Sequence, residues 1–203
     1  MRDNEVMSKA EQTRQFIIET TAPIFNQKGY AGTSISDLTG ATGLTKGSIY
    51  GNFESKDEVA LAAFDYNHAL IKAAIKQHMD HAVHPLDKLS AYLKVFADFN
   101  YLKVLKYGCP VLNTAIEADD THEPLRKKAV GALNGWYNNI KELLQEAEDN
   151  RQVRLGVNKD DFAGAYIALI EGGIMIAKVT GKRQGLDAAV KQAKKMIKDI
   201  VVE

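Results

Sequence analysis

Apolar positions along the chain recur at helical spacing, and the polar residues between them read as helix punctuation. Ser8-Lys9-Ala10-Glu11 has the form of a capping box, with Ser and Glu satisfying the orphan amides of a helix start. The helix it opens predicts a run to about Lys28, with Gly29 as a left-handed stop. Phe16, Ile17, Thr20, Ile24 and Phe25 fall near one face, and Pro23 interrupts the backbone bonding inside it. Ser34-Ile35-Ser36-Asp37 caps a short second helix ending near Gly40 or Gly43, and Thr45 caps a third. Ser55-Lys56-Asp57-Glu58 reads as another capping box, opening a long helix to about His81. Pro85, Pro110 and Pro124 each stand where a helix tolerates a missing N–H.

Further on, Leu125, Ala129, Leu133, Trp136, Ile140 and Leu144 keep helical spacing, and Asn158 with Asp161 opens a helix ending near Gly181. The last stripe, Leu186, Ala189, Val190, Ala193, Met196, Ile197 and Ile200, has no gap. No alternating run bounded by turns occurs, so no strand is predicted. The fold class is all-α, with about nine helices. The expected division is a three-helix, helix-turn-helix DNA-binding domain over residues 1–55 and a helical effector-binding and dimerisation domain over 56–203.

Composition narrows the class. The chain has 203 residues, 45% apolar and 26% charged, enough for a real core and ordinary for a soluble globular protein. Lys and Arg total 26, as do Asp and Glu, so polybasic and acidic tails are excluded. The single cysteine, Cys109, has no internal disulfide partner, which suits a reducing compartment. No leader-like apolar stretch follows Met1, and the apolar segment from Phe162 to Val179 is interrupted by Glu171 and Lys178. The expectation is a cytoplasmic protein with no membrane partner.

Residues 35–56 carry the most specific pattern. Two short helices flank the turn Gly40-Ala41-Thr42-Gly43. Ile49 and Phe53, four apart, face inward, where Leu38 and Leu44 can cover them. The other face offers Thr45, Lys46, Ser48, Tyr50 and Asn52, groups able to donate to phosphate oxygens, and Gly47 leaves room for close backbone approach. The series Gly29-Tyr30, Thr33-Ser34-Ile35, Asp37-Leu38, Gly43-Leu44-Thr45-Lys46-Gly47-Ser48-Ile49-Tyr50, Phe53 and Ser55-Lys56 resembles the DNA-binding segment of TetR-family transcriptional regulators. That resemblance implies DNA contacts from Thr33 and Ser34, from Thr45, Lys46, Gly47, Ser48, Tyr50 and Asn52, and from Lys56. Gly51 and Asn52 depart from the aromatic and histidine common there. Residues 1–60 hold six basic and eight acidic side chains, a net of −2, so a shallow salt dependence is expected.

In the second half, the last apolar stripe fits either a helix covering its own core or a four-helix interface with a second copy, and the resemblance favours a homodimer. Gly172-Gly173 would permit close helix approach. Tyr66, Phe96, Phe99, Trp136, Tyr137 and Tyr166, with Asn113, supply apolar bodies with polar tips of the kind that line an effector pocket. Cys109 precedes Pro110 at an expected helix start, where free amides favour a thiolate. Gly108-Cys109-Pro110 with Asn113-Thr114 is similar to the electrophile-sensing, N-ethylmaleimide-responsive subgroup of the family, which implies Lys178 as the cationic partner of the thiol.

His78, His81 and His84 cannot share one helical face, so no metal site and no cofactor is expected. No phosphate loop or nucleophile elbow appears, so an enzyme is not expected. The reading is a repressor that releases a palindromic double-stranded operator when it binds a small apolar or electrophilic molecule, or when Cys109 is modified. The alternative is an all-α small-molecule-binding protein with weak or lost DNA binding.

Overall fold

A computed structural model describes residues 7–97, 103–154 and 156–202. Among them are nine α-helices: α1 (Lys9–Lys28), α2 (Ile35–Thr42), α3 (Lys46–Tyr50), α4 (Lys56–Asp80), α5 (Pro85–Ala97), α6 (Pro110–Ala118), α7 (Glu123–Asp149), α8 (Lys159–Thr180) and α9 (Gln184–Ile200). A short 3-10 turn, Lys103–Tyr107, precedes α6. The one β element among the described residues is an isolated bridge between Val153 and Val201. Around it Arg154 N–H donates to Ile200 O (2.9 Å) and Val202 N–H to Gln152 O (3.0 Å), clipping the end of α9 onto the α7–α8 turn.

Local signals place the helix ends well. Ser8 and Ser34 form complete capping boxes with Glu11 and Asp37. Asp37 also meets Lys28 at 2.6 Å. That cation, with Ser34, lowers its carboxyl to about 2. The box at Ser55 forms by half. Ser55 Oγ accepts from Glu58 N–H, but the Glu58 carboxylate turns to the Glu54 amide (2.7 Å) and to Arg14 (2.6 Å), a stronger charge-assisted partner than its own cap. Phe16 does not belong to the inward face of α1: it is 46% exposed, and Ile17, Thr21 and Ala22 point in instead. Pro23 lies inside α1, which continues past it to Gly29.

Two cores share one helix. The head core consists of Ile17 from α1, Leu38 from α2, Ile49 from α3, Phe53, and Val59 from the first turn of α4. Farther along, α4 gives Phe64, Ile71 and Ile75 to a larger core that runs through α5 to α9. A helix of five residues such as α3 has no stability of its own. It is held by the burial of Ile49 and Phe53 and by Arg14, whose guanidinium lies 4.0 Å over the Phe53 ring. In the larger domain α8 and α9 approach closely because Gly173 lacks a side chain: a Cβ there would meet Ala189 at 2.8 Å. Gly172, by contrast, faces open space. Among the described residues α8 is long and apolar enough to cross a membrane, yet half of that stretch is buried in the domain and it carries Glu171.

Ile49 is fully buried, so Ile49→Ala is expected to cost about 2–5 kcal/mol, whereas Phe16→Ala stays within about 0.5 kcal/mol of the parent. Denaturant midpoints of the two variants check this ordering.

A candidate nucleic-acid interface and a cleft behind it

The recognition face is built from caps. Ser34 Oγ accepts from Asp37 N–H (3.1 Å) and Thr45 Oγ1 from Ser48 N–H (3.1 Å), so each hydroxyl is held at the open end of a short helix. Ser34, Thr45, Lys46, Gly47 and Tyr50 are exposed together, with Ser48 half-buried between them. The Lys46 ammonium stands 5.8 Å from the Tyr50 ring centre, and a Cβ on Gly47 would meet only Thr45 Oγ1, at 3.9 Å. This gives a compact patch of hydroxyls, one cation and bare backbone.

Three residues assigned to DNA contact are committed elsewhere. Thr33 is 1% exposed and its hydroxyl donates to Gly29 O at 2.6 Å. Lys56 donates to Tyr30 O (2.9 Å) and Thr33 O (3.0 Å) and covers the Tyr30 ring at 4.0 Å. The half-buried Asn52 donates its amide to Ser48 O at 2.9 Å. A side chain whose donors already have partners has less to offer a phosphate, so these three shape the head rather than its outer face.

Behind the head lies a set of contacts that the sequence reading missed. Gly29, at φ +73°, turns the chain so that Tyr30 and Ala31 present their amides to Glu117 of α6 (2.8 and 2.9 Å). A Cβ on Gly29 would run into that carboxylate, so both backbone angle and space require glycine. One turn earlier, Asn26 is buried and donates to Val104 O (2.8 Å) and Gly108 O (3.1 Å), while its own carbonyl oxygen accepts from Asn113 (2.8 Å). The Tyr30 hydroxyl donates to Asp57. That hydrogen bond, with burial second, pushes the phenol up to about 12. The edge of His122, which caps α7, packs 4.4 Å from the Tyr30 ring. The buried Asn26, the half-buried Asn113 and a carboxylate thus tie the head to α6 and α7.

Cys109 does not have the surroundings of a reactive thiolate. It is fully buried, and burial pushes its thiol well above the ordinary range, with Glu171 adding to the effect. The Val111 and Leu112 amides at the start of α6 pull the other way and lose. Lys178 is not its partner: the amine reaches Asn113 Oδ1 at 3.4 Å, beside Gly108. The group facing the thiol is Glu171, 7% exposed, whose carboxyl burial raises to about 7. Two groups that both resist ionisation share this spot.

The aromatic residues do not form one pocket. Tyr166 is buried, stacked on Phe162 at 5.7 Å, with its hydroxyl on Leu89 O at 2.8 Å. Phe96 packs on Trp136 at 5.6 Å. Tyr137 lies along Gly164, and Tyr66 faces the charge of Glu19. Asn113 belongs to the head junction, and Phe99 lies outside the described residues. A cleft of about 420 Å3 opens instead between α4, α5 and α7, lined by His68, Lys72, Met79, Tyr92, Gly135 and Asn139 among others. Lysines and glycines lining a cleft carry no recognisable sequence signal, so only the fold brings them together.

The comparisons with known proteins agree with this architecture. The family model described as bacterial regulatory proteins, tetR family, matches residues 17–63, and that of the tetracyclin repressor-like C-terminal domain matches residues 85–193. The chain is 42% identical to a TetR-family transcriptional regulator from Cytophaga hutchinsonii, over 98% of this chain and 100% of that one, with a TM-score of 0.92. The chain belongs to the TetR family. An uncharacterised HTH-type regulator of Lactococcus lactis subsp. lactis is 32% identical, over 83% of this chain and 84% of the relative. The HTH-type transcriptional repressor DhaR of Mycobacterium sp. (strain GP1) is 24% identical, over 86% of each. TetR-family members regulate transcription through the N-terminal helix-turn-helix and are not enzymes.

Glu171 gives a pH signature. Its folded carboxyl is protonated up to about 7, while an unfolded glutamate releases its proton near 4.5. The unfolded chain therefore binds fewer protons between these values, and stability falls as pH rises through that window. Glu171→Gln is expected to remove this fall and to be the more stable protein at pH 8, by on the order of 3 kcal/mol. Thermal melts of both at pH 5 and pH 8 test it; parallel shifts would show that Glu171 is not the titrating group.

Proposed function

We propose that the chain is a homodimeric repressor that holds a near-palindromic operator with two copies of the α2–α3 face and lets go when a small molecule enters the α4–α7 cleft. Such a protein works in the cytoplasm, on the chromosome. Its functional units are the head, residues 1–55, and the sensor, residues 56–203. The observation that carries the reading is the outward cluster of Ser34, Thr45, Lys46, Gly47 and Tyr50 on a unit tied to the sensor through Asn26, Tyr30 and Ala31. One such head reads one half-site, and two half-sites need two heads. The surface suited to pairing is on α8, where Met175, Ile176 and Val179 are 46%, 43% and 80% exposed beside the fixed helix α9.

The route from cleft to operator runs along α4. Its middle and end line the cleft with His68, Lys72 and Met79, and its first turn carries Lys56 and Asp57, which hold Tyr30, and Val59, which fills the head core. At about 1.5 Å per residue this helix is a lever roughly 37 Å long, so a small tilt at the cleft becomes a larger displacement of the recognition helix. A ligand that favours the tilted state by a few kcal/mol shifts the population from bound to released. The buried, proton-retaining Cys109 has no part in this route.

The test is fluorescence anisotropy with the duplex upstream of the chain's own gene against a shuffled duplex, at several salt concentrations. Lys46→Ala is expected to weaken operator binding roughly tenfold and to flatten the salt slope by about one. Cys109→Ser is expected to bind and release as the parent does. Equal affinity for both duplexes at every salt concentration would instead support a small-molecule-binding protein that no longer reads DNA.

A further inference from the structure

The cleft carries two features that the packing of the fold does not require. The first is a pair of glycines one turn apart in the middle of α7. A Cβ built on Gly131 or Gly135 would meet nothing within 4 Å, and neither residue has a positive φ. Glycine is among the least favourable residues inside a helix, and here neither backbone angle nor a neighbour calls for it. Gly173 shows the contrast, being closed off by Ala189 and Leu186. Both α7 glycines line the cleft, so they leave a strip of bare helix against which a flat or extended body can lie.

The second feature is a one-sided supply of donors. Lys72 and Lys76 reach the cleft from α4, and among the described residues no Asp or Glu lines it. Asn139 accepts the Tyr92 hydroxyl on Oδ1 (2.9 Å), so what it still offers is its N–H groups. His68 Nε2 is sealed from solvent without a hydrogen-bond partner, and so is Nε1 of Trp136, whose ring meets His68 edge-on at 6.2 Å. Burial, followed by the charge of Lys72, lowers the His68 pKa. The nearest acids are engaged or stand outside: Asp80 with Lys76 (2.7 Å), Asp65 with Lys128 (2.5 Å), and Glu142 toward Tyr92. Ile75 and Met79 complete an apolar wall.

We propose that the cleft binds an amphipathic organic acid, its carboxylate held by Lys72 and Lys76 and its apolar body laid along Gly131 and Gly135. The proposal rests on the reading of this cleft as the effector site and adds the class of the ligand. Arranged this way, the anion gives Lys72 a counter-ion and shares Lys76 with Asp80, while the body covers bare backbone that the protein alone leaves open.

Calorimetry on the purified full chain, without DNA, tests it with 4-phenylbutyrate and decanoate against their matched alcohols and amines. The acids are expected to bind at least tenfold tighter than either counterpart. Lys72→Met with Lys76→Met should erase that preference while leaving the affinity for the alcohols, and Lys72→Arg should restore it. Gly135→Ala is expected to raise the melting temperature by about 2–4 °C and to weaken acid binding at least tenfold. Alcohols or amines that bind as well as the acids would overturn the proposal, as would acid affinity unmoved by Gly135→Ala or by the double lysine variant. Operator release is measured separately. Acid binding without release leaves the ligand class standing and removes the effector reading, whereas operator binding with no preference for acids removes this inference alone.

Discussion

The carboxylate of Glu117 ties the turn between α1 and α2, inside the reading head, to α6. By accepting the Tyr30 and Ala31 amides it stands in for the missing next turn of α1 and fixes the angle at which α2 departs. A charge-assisted pair of this kind, half-buried, is worth more than an exposed salt bridge and falls off steeply with misalignment. Around it the other constraints fall into line: Gly29 must stay bare, Asn26 must meet Asn113, and Lys56 must cover Tyr30. The α2–α3 face is therefore positioned by contacts from α6 and α4.

Much of the fold was legible because its signals are local. Ser8, Ser34, Thr45 and Asn158 cap the helices they were expected to cap, and Gly43 and Gly181 end theirs in left-handed conformations. The inward pair Ile49 and Phe53 followed from spacing alone, as did the recognition patch on the opposite face. Where the reading failed, a distant residue outcompeted a near one. Arg14 drew Glu58 away from its capping box, and Gly29 claimed the Thr33 hydroxyl that seemed free for phosphate.

The sensor half was less legible for the same reason. A cysteine at a helix start carries the same sequence signal whether its amides win or burial does, and here burial wins, with Glu171, sixty-odd residues away, adding to it. The aromatic residues looked like a pocket because pockets and cores share a composition. In the fold most of them fill space, and the opening is lined by lysines, glycines and an asparagine that composition gives no reason to group. Long-range pairing, not residue type, separates a core from a site.

The clip at the chain's end has a bearing on assembly. Arg154 and Val202 hold the last turn of α9 to the loop after α7, so the C-terminal end of the helix is fastened rather than left to fray. A surface already immobile before association gives up little side-chain and backbone freedom when a partner arrives. The outer surface of α8 and α9 thus owes the fixed shape of its far end to a two-residue bridge at the opposite end of the chain from the helix-turn-helix.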